Sequence, residues 1–351
     1  MNDIILEDIN KIISSNIDIF SKFKGRNFLI TGINGFLPSY LALTLMKFND
    51  SLKDNEKIKI IGIARNERNS KLIFNDYYGN WWLKFLFQDV CEKIKINDNV
   101  DYIIHAASHA SPKYYGSDPV GTLMPNIIGT VNLFEYAKNC NIKNFLFFSS
   151  SEIYGQVAEK DNPINENCHG YIDPCNIRSC YAESKRMGET ICTSYNSQFK
   201  IPVKIARIFH TYGPGMDLND GRVFADFVSC IVNNRNITLN SNGQAERPFC
   251  YIADTIEALF KMINSDNYFD VFNVGNPYSE VKIIDLANIL VNLFAEKKLK
   301  VIINDNRQKI GYIKSSIQKA CPDISKLKKL DWSPKFSIEE GFKRTIRSYI
   351  E

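Results

Sequence analysis

Asn27-Phe28-Leu29-Ile30-Thr31-Gly32-Ile33-Asn34-Gly35-Phe36-Leu37 passes from an unbroken apolar run into a turn with two glycines, and residues 39–48 then read as a helix. An apolar run of that length suits a strand covered on both faces. Glycines where a strand turns into a helix let backbone N–H groups and the helix N-terminus approach a pyrophosphate. Pro38 stands where a third glycine is usual, and proline is tolerated in the first turn of a helix.

The same alternation continues along the chain. Residues 57–64, 84–88, 102–107, 144–149 and 203–208 read as further buried strands, with helices over 121–139 and 181–198. Strands of this kind separated by helices predict an α/β fold with a doubly wound parallel sheet. Beyond Tyr212 the alternation breaks, although residues 271–274 look like a strand returning to the main sheet. The division expected is a helical extension over 1–24, a dinucleotide-binding domain over 25–212 with about 246–275, and a smaller, interleaved lobe over 213–245 and 276–351. Isoleucines and Phe20 at helical spacing in residues 4–20 predict one amphipathic helix laid on the protein's own surface.

The 351 residues carry 43 Lys and Arg against 39 Asp and Glu, a net +4 too mild for a nucleic-acid binder. No apolar run reaches the roughly 18 residues of a membrane span, and the first residues lack a basic, cleavable leader. A cytoplasmic protein that binds neither nucleic acid nor membrane is expected. The nine cysteines contain no CxxC pair, and Cys168, His169, Cys175 and Cys180 do not match zinc spacings, so no metal is expected.

The second strand ends Ile63-Ala64-Arg65-Asn66, without the acid that usually holds the adenosine ribose of NAD. Arg65 suits a 2′-phosphate, adenine stacking or solvent equally well. NAD is the expected cofactor, with NADP the alternative. Tyr181 and Lys185, four apart, share one helical face, and an ammonium there can lower the phenol pKa toward neutrality. Tyr278 and Lys282 repeat that spacing without a serine-bearing strand before them, and are read as a chance copy.

Thr31–Leu37, His105-Ala106-Ala107, Asn126-x-x-Gly129-Thr130, Ser149-Ser150-Ser151-Glu152-Ile153-Tyr154-Gly155 and Tyr181-x-x-x-Lys185, in this order, resemble the extended short-chain dehydrogenase/reductase family of nucleotide-sugar enzymes. The resemblance spans residues 26–345 and implies a Rossmann-type fold. Ser108-x-Ala110-Ser111-Pro112, Ile208-Phe209-x-Thr211-Tyr212-Gly213-Pro214 and Arg247-x-Phe249 look most like UDP-glucuronate decarboxylases. His210 departs from the family's usual Asn, and Gly215 from the Arg that usually follows Gly-Pro.

By this resemblance the catalytic residues are Tyr181, Lys185, Ser150 and Glu152. The cofactor contacts are Gly32, Asn34, Gly35, Phe36, Leu37, Arg65, Asp89, Val90, Ala106, Ala107, Ser108 and Asn126, with Tyr181 and Lys185. Ser111, Ser151, His210, Arg222 and Arg247 fall to a nucleotide-diphosphate sugar. The expected reaction runs through a transient 4-keto sugar: decarboxylation first, then epimerisation, then 4,6-dehydration. Ser151 stands where hexose dehydratases place an Asp, and Glu152 where epimerases usually have an uncharged residue. A non-catalytic dinucleotide-binding module would be expected to lack Tyr181 or Lys185. A homodimer through the helices over 121–139 and 181–198, and a place in polysaccharide biosynthesis, are also implied.

Overall fold

The computed structural model describes residues 1–304 and 319–350. Helices α1 (Asp3–Ser15) and α2 (Ile17–Lys22) precede β1 (Asn27–Thr31), α3 (Phe36–Asn49), β2 (Lys59–Ala64), α4 (Glu67–Ile73) and β3 (Leu83–Phe87). Then come β4 (Tyr102–His105), α5 (Lys113–Ser117), α6 (Pro119–Met124), α7 (Thr130–Ala137), β5 (Asn144–Ser150), α8 (Ser179–Phe199) and β6 (Val203–Ile208). The second half adds β7 (His210–Tyr212), α9 (Val223–Val232), β8 (Ile237–Leu239), β9 (Glu246–Tyr251), α10 (Ile252–Ile263) and β10 (Phe269–Val274). It closes with β11 (Glu280–Lys282), α11 (Ile283–Leu293), β12 (Val301–Ile303), α12 (Ser325–Lys328) and α13 (Ile338–Ile350).

Seven strands form a parallel sheet in the order β10-β6-β5-β4-β1-β2-β3, a doubly wound Rossmann-like α/β fold. Strand residues alternate between two apolar layers: Phe28, Ile30, Ile104 and Leu146 face one side, and Leu29, Ile103, Phe145 and Phe147 the other. Burial of both faces is why the strands read as continuous apolar runs. The order reverses between β1 and β4, so a crevice opens beyond their carboxyl ends. Residues 269–274 rejoin this sheet beside β6, as expected, while β9 pairs with β7 and β11 in a separate three-stranded sheet.

Two helices expected to be continuous are broken, each by one residue. Over 121–139 the interruption is Pro125, which has no N–H to donate back along the helix. The chain answers with a π-helical turn over Pro125–Gly129 between α6 and α7. Over 4–20 it is Asn16, whose Nδ2 donates to the Ile12 carbonyl and to Glu257 and so ends α1.

Helix α1 is packed into the domain by a buried acid. Asp8 is 1% exposed and accepts from the Tyr40 hydroxyl (2.8 Å), the Tyr251 hydroxyl (2.6 Å) and Arg344 Nη2 (2.7 Å). Those groups come from α3, β9 and α13, so one carboxylate joins four elements. Removing Asp8 leaves the buried Tyr40 hydroxyl without its acceptor and Arg344 with only the more exposed Glu7 as a carboxylate partner. Asp8→Ala is expected to lower stability by about 3 kcal/mol in chemical denaturation. A loss below about 1 kcal/mol would show that the network does not hold the helix.

Candidate active site

The site is built at the carboxyl edge of the sheet, and its depth is set by Gly188. A Cβ on that residue would lie 2.4 Å from Phe147 Cζ, so only glycine lets α8 come this close to β5. Gly188, Lys185 and Tyr181 are spaced three and four residues apart on one face of α8. The close approach carries Lys185 Nζ to the Phe148 carbonyl at 2.6 Å and leaves the ammonium 2% exposed. Tyr181, one turn earlier, is 6% exposed and reaches Ser150 at the end of β5.

Burial pushes the Tyr181 phenol above its ordinary pKa. The hydrogen bond with Ser150 and the charge of Arg222 oppose that rise, and Glu152 adds to it. Lys185, expected to lower the phenol, is not among these influences; burial instead brings its own pKa down to about 7. A lysine that has lost part of its charge is a weaker electrostatic lever on its neighbour.

Two residues that the sequence reading passed over complete this cluster. Tyr115 from α5 stacks on Tyr181 with ring centroids 5.2 Å apart and planes at 14°. Arg178 lies over the Tyr115 ring at 5.5 Å, and its Nη2 donates to both Glu152 carboxylate oxygens at 3.3 Å. Arg178 sits one helical turn before Tyr181, a spacing that could have exposed it; nothing in the sequence marks Tyr115. Glu152 therefore stands beside the phenol already paired, on the short 3-10 turn that contains Ser151.

The other half of the edge is the glycine loop. Gly32 has φ +63°, and a Cβ there would meet Ala107 Cα at 2.7 Å. The loop and the chain after β4 thus touch backbone to backbone, a cradle with no room for a side chain. Gly35 is the N-cap of α3, followed by Phe36 and Leu37; Pro38 falls within the first turn, where its missing N–H removes no helical bond. Asn34 Nδ2 donates to the Asn66 carbonyl at 3.0 Å. These residues fit a dinucleotide pyrophosphate.

A hydrogen-bond chain holds the two sides of the cradle. Thr31 Oγ1 accepts from the Ala106 and Ala107 N–H groups, so its own proton goes to His105 Nδ1 at 2.8 Å. His105 Nε2–H then donates to the Pro125 carbonyl at 3.2 Å. Burial brings the His105 pKa down to about 3, which keeps the ring neutral in this role. Asn126, on the π-helical turn, donates to Ser184 Oγ at 2.9 Å. Val90 packs against Gly129, and Asp89 accepts from the Cys91 N–H and lies 3.9 Å from Arg65. Ser108 Oγ is buried in the loop beyond Ala107.

On the opposite wall, Arg222 and Arg247 both act on the His210 imidazole, whose pKa falls to about 3, first through burial and then through the two guanidinium groups. Arg222 is paired with Asp220 at 3.1 Å, and Arg247 Nη1 donates to the Glu246 carbonyl. Ser111, expected at the substrate, donates to the Asp220 carbonyl and so ties the loop after β4 to this wall. Gly215 has φ +85°, a conformation that would strain the family's usual Arg. Tyr278 is 66% exposed and Lys282 lies on β11, so the second Tyr-x-x-x-Lys does not share a helix face. No group of three or more metal-binding side chains occurs among the described residues, nor any helix long and apolar enough to cross a membrane.

The buried lysine gives the site a pH signature. With a folded pKa of about 7 against roughly 10.4 unfolded, the unfolded chain binds the extra proton between these values, and stability rises with pH across that window. In dinucleotide-free protein, Lys185→Met is expected to raise the melting temperature at pH 7, with the gain shrinking toward pH 10. A gain that does not change with pH would contradict the burial of a titrating ammonium.

Residues 28–275 match the model of the NAD dependent epimerase/dehydratase family. The chain is 35% identical over 328 residues to UDP-glucuronic acid decarboxylase 6 of Arabidopsis thaliana, covering 92% of this chain and 88% of that one. Among solved structures it resembles UDP-N-acetylglucosamine 4-epimerase from Methanobrevibacter ruminantium M1, in complex with UDP-N-acetylmuramic acid, with a TM-score of 0.79 and 26% identity over 93% and 99% of the two chains. UDP-glucuronic acid 4-epimerase from Bacillus cereus, in complex with UDP-glucuronic acid and NAD, shares the fold with a TM-score of 0.75 at 22% identity, over 92% and 98%. From the glycine cradle, the Ser150–Tyr181–Lys185 edge and these matches together, the chain belongs to the NAD dependent epimerase/dehydratase family.

Proposed function

We propose that this protein oxidises carbon-4 of a UDP-linked glucuronate and releases its carboxylate as carbon dioxide. The observation that carries this reading is the placement of Ser150, Tyr181 and Lys185 at the carboxyl edge, with Glu152 as the carboxylate beside them and Ser151 in place of a second acid. The identity to the Arabidopsis thaliana decarboxylase supports the same choice.

Tyr181, in its phenolate form, takes the proton of the sugar 4-hydroxyl, and Ser150 holds that hydroxyl in line. Lys185, anchored on the Phe148 carbonyl, positions the nicotinamide ribose. A nicotinamide dinucleotide, when bound, would supply the reversible hydride acceptor for carbon-4. Once carbon-4 is a ketone, the carbon-5 carboxylate is that of a β-keto acid. Its C–C bond breaks with the electron pair moving toward the ketone, and carbon dioxide leaves. A proton drawn from solvent and relayed by Glu152, which Arg178 holds in place, is added to carbon-5, and Tyr181 gives its proton back to the carbon-4 oxygen. The product is a UDP-pentose, and no net oxidant is consumed.

Either nicotinamide dinucleotide supports this cycle. Arg222, Arg247 and His210 form the wall for the substrate diphosphate, with guanidinium groups suited to phosphate oxygens. The lobe of β7, β9, β11 and the segments around them carries the sugar nucleotide. Nothing in the reaction calls for a membrane, and we place it in the cytoplasm.

Helices α6 and α8 leave Val120 (63% exposed), Met124 (37%) and Met187 (48%) uncovered, and a homodimer through these helices would bury them. Val120→Glu with Met187→Glu is expected to give a monomer in sedimentation. A monomeric wild type would remove the dimer.

Incubation with UDP-glucuronate is expected to release carbon dioxide and a UDP-pentose, and Tyr181→Phe to slow turnover by about a hundredfold or more while dinucleotide binding persists. Turnover without carbon dioxide, yielding a UDP-sugar isomer, would favour the epimerase reading suggested by the Methanobrevibacter neighbour. Unchanged turnover in Tyr181→Phe would remove the assigned base.

A further inference from the structure

We propose that the adenosine end of the dinucleotide site takes a ribose 2′-phosphate, held by Arg65 and Arg68, so that the resident cofactor is NADP. This rests on the dinucleotide reading of the glycine cradle and adds the chemistry of its far end. Strand β2 stops at Ala64, and the next residue, Arg65, emerges at the carboxyl edge beside the glycine loop. A ribose hydroxyl is usually met at this point by a carboxylate, and a ribose phosphate by a guanidinium.

Arg65 is oriented by a neutral ring and paired with a carboxylate only at long range. Its Nη2 donates to His109 Nε2 at 2.8 Å. Burial, then the charge of Arg65, holds the His109 imidazole below its ordinary pKa, so the ring is a neutral acceptor whose proton sits on Nδ1, 3.8 Å from Asp118. His109 lies beyond β4, so the contact draws the guanidinium across the strand ends toward the crevice. The side chain is nevertheless 61% exposed and has donors left for a ligand.

Of the carboxylates nearby, Glu67 is engaged elsewhere and Asp89 is a long ion-pair partner of Arg65 itself. Asp89 accepts from the Cys91 N–H at 2.8 Å and stands 3.9 Å from Arg65, at the limit of an ion pair. Glu67 pairs with Lys71 at 2.8 Å and accepts from the Tyr78 hydroxyl at 3.3 Å, along the outer face of α4. Arg68, exposed in the first turn of α4, adds a second positive charge one turn from Arg65. Asn34 Nδ2 bonds the Asn66 carbonyl, and Ser70 Oγ donates to Asn34 Oδ1 at 2.9 Å. The arginine segment is thereby fixed to the pyrophosphate loop, so a phosphate on the ribose would meet a preset partner.

Two measurements test this. The nucleotide released from the purified full-length protein by acid is identified by mass spectrometry, and NADP is expected; recovery of NAD overturns the proposal. Dinucleotide-free protein is then titrated calorimetrically with NADP+ and with NAD+. NADP+ is expected to bind about tenfold tighter, and Arg65→Ala with Arg68→Ala to erase that preference by weakening NADP+ alone. Equal or tighter binding of NAD+, or a preference that survives both substitutions, overturns the 2′-phosphate site and leaves the dinucleotide site standing. Failure of both dinucleotides to bind overturns the cofactor reading and, with it, this one.

Discussion

The contact on which the edge depends is that of Gly188 with Phe147. It sets the distance between α8 and β5, and therefore whether an ammonium four residues from a phenol can sit against the Phe148 carbonyl. A methyl group at Gly188 would force the helix outward and lift both Tyr181 and Lys185 from the strand end. The arrangement has an energetic cost. Burying an ammonium in a low-dielectric layer disfavours its charge, and one hydrogen bond to a carbonyl offsets only part of that.

The opposite side of the crevice is organised by a neutral imidazole. Thr31 accepts two N–H groups and has one proton to give, which determines the tautomer of His105 and hence its bond to Pro125. The same Pro125 interrupts the helix and produces the π-helical turn that carries Asn126 to Ser184. One proline thus links a break in helix geometry to the placement of a side chain on the α8 side of the crevice. The chain runs from β1 through β4 to α8 entirely in buried polar groups, each with a partner whose removal would leave another unsatisfied.

Charges around the phenol are arranged in opposing pairs. Arg178 holds Glu152, Asp220 holds Arg222, and the charges of Glu152 and Arg222 act in opposite senses on Tyr181. His210, between Arg222 and Arg247, stays uncharged in such company. A neutral donor or acceptor at that position adds no further charge to be desolvated between the two guanidinium groups.

Strand and helix order, the glycine turn and the shared face of Tyr181 and Lys185 were legible in residue order, because period and spacing are local properties of the chain. The breaks at Asn16 and Pro125 were written there too, in one amide and one missing N–H, yet apolar periodicity ran through both and concealed them. Arg178 and Tyr115 come from different helices, and Ser111 is turned to a backbone carbonyl of a distant loop. Such partnerships depend on which elements the sheet order brings together and on how deeply each group is buried. Burial is a property of the packed molecule, and it is what separates the pKa values of Tyr181, Lys185 and His210 from those of the same residues in a solvated chain.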